Sequence, residues 1–158
     1  MDLTQSIDIK DIKISLKGKD KESVIAELVD LLVENGKISK RDSIYNAVME
    51  REIIRSTGVG KGFAIPHCKT SLVDEVCIAF GICQEPIDFD SIDSEPVKLV
   101  ALLISPAAKT GAHIQALAGI SRIITTPGVR EKLYSKINPE TGKSWLPEEI
   151  YNLIISKI

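Results

Sequence analysis

Long apolar runs are missing from this chain: none approaches the roughly 18 residues a helix needs to cross a bilayer. The N-terminal MDLTQSIDIKDIKISLKGKDKE alternates charged with apolar residues and lacks the apolar core of a signal peptide. An excess of one charge is missing too. Twenty Lys and Arg stand against 22 Asp and Glu, a formal net charge of −2, and the pI is near 5.7. Neither nucleic acid nor a membrane surface therefore has an electrostatic claim on it as a partner. The small basic cluster Lys37 to Arg41 reads as a solvated connector. Cysteine is scarce: Cys68, Cys77 and Cys83 are odd in number and show no CxxC spacing. That argues against a disulfide framework or a structural zinc and fits a reducing cytoplasm. Internal repeats, low-complexity tracts and long linkers are absent, and there are only two histidines, His67 and His113.

What is present is an ordinary globular composition, 44% hydrophobic and 27% charged over 158 residues. That length suits one domain spanning 1–158, burying about 70% of its unfolded surface. Ile12, Ile14 and Leu16 alternate with polar residues as in a half-buried strand. Val24, Ile25, Leu28, Leu31 and Leu32 recur at helical spacing, with Asp20 as N-cap and Gly36 as stop. A second helix is expected from Ser39, with Asp42 three residues on as a capping-box analogue and Ile44, Ala47 and Val48 inward. EVCIAFGIC (75–83) and VKLVALLIS (97–105) read as buried strands, separated by a loop through Pro86 and IDFDSIDSEP. Helices are expected from about Ala112 to Thr125, from Pro127 through Ile137, and from Pro147 to the end. The sum is an α/β fold, a single-domain mixed β-sheet sandwiched between helices.

The chemistry concentrates in STGVGKGFAIPHCKT, Ser56 to Thr70. Three readings compete. A nucleotide-phosphate loop fits poorly, because Lys61 is followed by GFAIP rather than by Ser or Thr opening a helix. A Cys68 nucleophile with His113 as base, or a metal held by His67, His113 and a cysteine, has no spacing signature behind it. The third reading makes His67 the nucleophile, since a neutral imidazole nitrogen attacks phosphorus well and titrates near physiological pH. Glycines would let backbone N–H groups approach phosphate oxygens, Ser56, Thr57 and an arginine would meet the charge, and Pro66 would stiffen the histidine. Residue by residue, a surface histidine, a plain turn and a helix-surface arginine remain the bland alternatives.

REIIRSTGVGKGFAIPHCK closely resembles the active-site segment of EIIA domains of the fructose/mannitol/nitrogen-regulatory type, from the phosphoenolpyruvate-dependent sugar phosphotransferase system. The pattern is matched at Arg51, Glu52, Ser56, Thr57, Gly58, Gly60, Gly62, Ala64, Ile65, Pro66 and His67. A second block, PVKLVALLISPAAKTGAHIQALAGISRIITTPGVREKL, is similar to the family's strand, loop and helix beginning near a second active-site histidine. The resemblance implies that His67 accepts a phosphoryl group from the phosphohistidine of HPr and hands it to an EIIB domain or signals to regulatory targets. It implies that His113 assists, that Arg51 stabilises the phosphoryl group, and that Ser56, Thr57, Gly58, Gly60 and Gly62 surround it, with no metal or cofactor required. Val59 and Phe63 are expected to contact HPr, although Phe63 fits a core position equally well. No EIIB or membrane EIIC part is evident, and no membrane insertion is expected. ISRIITTPGVREKL leans the reading toward a nitrogen-type regulator. A stand-alone EIIA feeding a sugar permease, and a protein-binding module that has lost catalysis, stay open. Cys68 stands where the family pattern has glycine or alanine, as a neutral filler or an oxidisable modulator.

Overall fold

The computed structural model describes residues 2–158, which form a six-stranded mixed sheet covered by helices on both faces. After two short 3₁₀ turns, β1 (Ile12–Leu16) enters the sheet with Ile12 and Leu16 buried. Helix α1 (Lys21–Glu34) starts where the Asp20 carboxylate accepts the Ser23 N–H at 2.8 Å. It stops at Gly36, whose φ of 74° lies in the left-handed region. Helix α2 (Arg41–Ile54) begins two residues later than Ser39 predicts. Lys40 turns the chain at φ 54° and no side chain caps the helix, so neither Ser39 nor Asp42 performs that job.

The glycine-rich stretch is regular structure rather than loop. Strand β2 (Gly58–Gly60) pairs antiparallel with β3 (Phe63–Ala64), and β4 (His67–Thr70) follows at once. Strand β5 (Cys77–Ile87) runs four residues past its predicted end, through Pro86. It can do so because its pairing with the next strand shifts register between Ile82 and Ile87, where no ladder donor is demanded of proline. Strand β6 (Val97–Pro106) leads to α3 (Thr110–Thr125), α4 (Val129–Tyr134) and α5 (Pro147–Ile155). Helix α4 is shorter than predicted, starting from Gly128 at φ 85° rather than from Pro127. Pro147 opens α5 as expected, with Glu149 accepting the Leu146 N–H at 2.8 Å.

The strand order is β1-β5-β6-β3-β2, with β4 lying beyond β3 along the same side of β6. β1 is parallel to β5, β5 antiparallel to β6, and β6 parallel to both β3 and β4. Because β5 and β6 are covered on both faces, they read as continuous apolar runs instead of alternating ones. One face packs Val100, Leu102 and Ile104 against Ile25, Leu28, Ile44 and Val48 of α1 and α2. The other packs Leu99, Ala101 and Leu103 against Ala116, Ile120 and Ile124 of α3, with Ile150 and Ile154 of α5. Each such aliphatic side chain contributes about 1.5–3 kcal/mol on burial, so two independent slabs hold the central strands rigid.

Candidate active site

His67 is the first residue of β4, which pairs with β6 on one side and, among the described residues, with no other strand on its outer edge. Register settles where its ring goes. His67 lies opposite Leu103, whose side chain belongs to the α3 slab, whereas Cys68 lies opposite Ile104 and enters the α1/α2 slab. At the open edge of β4 the end of α2 and the start of α3 approach from opposite faces. Between them lies a cleft of about 380 Å³ lined by Ala47, Glu50, Arg51, Ile54, His67, Cys68, Lys69 and His113. His67 is therefore half-buried on a strand edge, not exposed on a loop.

His67 Nδ1 is 2.6 Å from the Ile65 carbonyl oxygen. A carbonyl only accepts, so Nδ1 carries the proton and Nε2 carries the lone pair. Pro66, between the two, restricts the backbone that holds this contact. Burial, more than any other influence, lowers the His67 pKa from its usual range; Arg51 lowers it further, while the Ile65 hydrogen bond opposes the shift. The ring is thus neutral at neutral pH, as a nucleophile must be.

His113 sits in the first turn of α3, only 7% exposed. Its ring centroid is 5.4 Å from that of His67, at 53° between planes. Burial pulls its pKa down to about 4, reinforced by His67, Lys69 and Arg51. Arg51, in the last turn of α2, donates from Nη1 to the Arg55 carbonyl at 3.0 Å, and no described carboxylate forms an ion pair with it. Lys69 follows His67 by two residues on the same strand and lines the same cleft, a second cation that the sequence reading missed. A period of two from His67 would have found it, had this segment been read as a strand.

Ser56 and Thr57 are turned away from this cleft. Ser56 Oγ donates to the Phe89 carbonyl at 2.6 Å and accepts the Gly58 N–H at 3.0 Å. Thr57 gives both its hydroxyl and its N–H to the buried Glu52 carboxylate, which also takes Lys21 Nζ at 3.2 Å. These hydroxyls anchor the hairpin to α2 and to the Phe89 segment. Gly58, Gly60 and Gly62 lie in the hairpin and not in the lining of the cleft. A Cβ on Gly58 would collide with the Ser91 side chain, and Gly62 has φ 89° with the Tyr134 ring against it. Val59 is 52% exposed on β2. Phe63 is only 2% exposed, packed into the α3 slab, so of the two candidates only Val59 has a side chain within reach of a partner. Cys68 is buried and its thiol is pushed up to about 12, which leaves it without thiolate and so without nucleophilic character. His113 makes its hydrogen bond to Ser105 and not to Cys68. Among the described residues no group of three or more His, Cys, Asp or Glu could hold a metal ion. No described helix is long and apolar enough to cross a membrane.

The family "Phosphoenolpyruvate-dependent sugar phosphotransferase system, EIIA 2" matches residues 5–142. This chain belongs to that family. Within it, the domain is 40% identical over 130 residues to the "PTS system fructose-specific EIIA component" of Haloferax volcanii, covering 82% of this chain and 84% of that one. It is 32% identical over 133 residues to a "Nitrogen regulatory protein" of Bradyrhizobium diazoefficiens, covering 84% and 86%. Among solved structures, the nitrogen regulatory protein IIA-Ntr of Neisseria meningitidis superimposes with a TM-score of 0.84 at 26% identity, covering 96% and 98%. The IIA component in the complex of enzyme IIAMTL with phosphorylated enzyme IIBMTL of Escherichia coli superimposes at 0.75 with 19% identity, covering 95% and 97%, a likeness of fold. The EIIA domain is thus a phosphoryl-carrier type, with both sugar-specific and regulatory relatives.

Proposed function

We propose that His67 is the phosphoryl-accepting residue of this EIIA domain and that Nε2 is the reacting atom. The observation that carries the proposal is the Nδ1–H held on the Ile65 carbonyl, which leaves the Nε2 lone pair free in a cleft bearing Arg51 and Lys69. In the transfer, the Nε2 lone pair forms a bond to phosphorus while the P–N bond to the donor imidazole of HPr breaks, its electron pair returning to the donor ring. The proton stays bonded to Nδ1, donated to the Ile65 carbonyl, throughout. Negative charge on the phosphoryl oxygens is met by Arg51, Lys69 and His113, so catalysis is positioning and charge stabilisation.

The acceptor downstream is proposed as an EIIB domain, supported by the complex of the Escherichia coli IIA relative with its phosphorylated IIB and by the 40% identity to a fructose-specific component. A regulatory outcome, in which the phosphorylation state alters binding to other proteins, is supported by the nitrogen regulatory relatives. Incubation with phosphoenolpyruvate, Enzyme I and HPr, followed by intact mass measurement, tests the carrier step. One acid-labile phosphate is expected, with ¹⁵N–³¹P coupling at Nε2 of His67. A chain that gains no phosphate, or gains it elsewhere, overturns the proposal. Adding a cognate EIIB then separates the branches: discharge of the label marks transport, and its retention with altered partner binding marks regulation.

A further inference from the structure

The two histidines of the cleft are held by different kinds of partner. His67 faces a carbonyl, which dictates its tautomer directly. His113 faces Ser105, whose Oγ lies 2.8 Å from Nδ1, and a hydroxyl can serve as donor or acceptor. The surroundings of Ser105 remove that ambiguity. It stands near the end of β6 with no solvent exposure, so bulk water does not reach its hydroxyl. Its Oγ has no other hydrogen-bond partner among the described residues. The large majority of buried hydroxyls are hydrogen-bonded, and among the described residues the one acceptor within hydrogen-bond distance of this hydroxyl is the imidazole nitrogen. Were Nδ1 to carry the proton instead, the Ser105 proton would be stranded in the apolar slab beside Leu103.

We propose that Ser105 is a positioning residue that donates to His113 Nδ1 and thereby holds His113 as the Nε2–H tautomer, so that this ring presents a donor, not a lone pair, to the phosphoryl group on His67. The cleft then contains two neutral imidazoles in opposite tautomers, one built to attack and one built to stabilise. A lone pair from His113 would repel the phosphoryl oxygens; an N–H binds them and strengthens as charge develops. The low pKa of His113 keeps the ring neutral, so tautomer and not charge decides what it offers. Ser105 is invisible to motif reading because it sits eight residues before His113, across the β6–α3 connection.

This rests on His67 as the phosphoryl site, yet its first test needs no phosphorylation. Long-range ¹⁵N–¹H correlation spectra of the unphosphorylated protein near neutral pH should show the Nε2–H pattern for His113 and the Nδ1–H pattern for His67. A Nδ1–H pattern for His113 overturns the inference even if the protein labels normally. Failure to label with the expected spectrum overturns the carrier reading and leaves the Ser105 contact standing. In Ser105→Ala the His113 signals should become an average of the two tautomers, and phosphoryl transfer should slow about 3- to 10-fold, less than for loss of the ring itself. Ser105→Thr keeps the hydroxyl and should restore both readings. An unmixed Nε2–H signal with wild-type transfer in Ser105→Ala would show that Ser105 only fills space.

Discussion

The hairpin Gly58–Ala64 and the strand His67–Thr70 are separated by two residues and lie end to end along the same side of β6, Phe63 opposite Leu99 and His67 opposite Leu103. The outer edge of β3 is covered by β2, and the hairpin is further fastened by Tyr134, whose hydroxyl donates to the Lys61 carbonyl at 2.9 Å. Among the described residues no strand lies on the outer edge of β4, and α2 and α3 flank it instead. Unpaired edges are normally shielded, and here the shield is two helix ends that bring Arg51 and His113 with them. Access to His67 therefore comes from a missing strand in a rigid sheet, while the glycines next door build structure.

The comparison predicts that changes in the two segments fail in different ways. The largest effect belongs to His67→Ala, which should abolish phosphate gain in the intact-mass assay with an unchanged far-UV spectrum. Labelling that persists in this variant would break the assignment of β4 as the reactive segment. Arg51→Ala should slow transfer about 100-fold in rapid-quench measurements, as for loss of one positioned charge donor. A wild-type rate would make it a helix-surface residue.

In the hairpin, Gly58→Ala should cost about 1–3 kcal/mol in urea unfolding through overpacking against Ser91, with label still entering His67 in the folded fraction. Loss of labelling without loss of stability would return the glycines to the chemistry. Acid titration separates the segments again. His113 folds with its pKa depressed from 6.5 to about 4, so the unfolded chain takes up the proton first. Its contribution is complete above the unfolded value and is lost as pH falls from 6.5 toward 4. Thermal melting should show that decline in the wild type and a flatter profile in His113→Gln; identical profiles would remove the burial argument. The smallest effect is expected for Val59→Ser, within about 0.5 kcal/mol of wild type because the side chain is half exposed.

Much of this was legible locally. The alternation in β1, the Asp20 cap and Gly36 stop of α1, Pro147 opening α5, and the apolar runs of β5 and β6 all follow from neighbours within four residues. The same holds for the motif joining Arg51 to His67, because residue identity at fixed spacing is a one-dimensional property. Tertiary structure alone decided where each member of that motif lies and what it touches. Ser56 finds its acceptor 33 residues away at Phe89, Tyr134 reaches back 73 residues to Lys61, and Ser105 meets His113 only because β6 delivers it beneath α3. Cys68 is inert because β4 pairs with β6 and sends alternate side chains to opposite faces, and Phe63 is buried because β3 pairs with β6 and places it in the apolar slab on the α3 face. Sequence spacing determined which chemistry this chain carries. The pairing of strands distant in sequence determined which atoms meet, since hydrogen bonds and exclusion from water depend on distance in space, not along the chain.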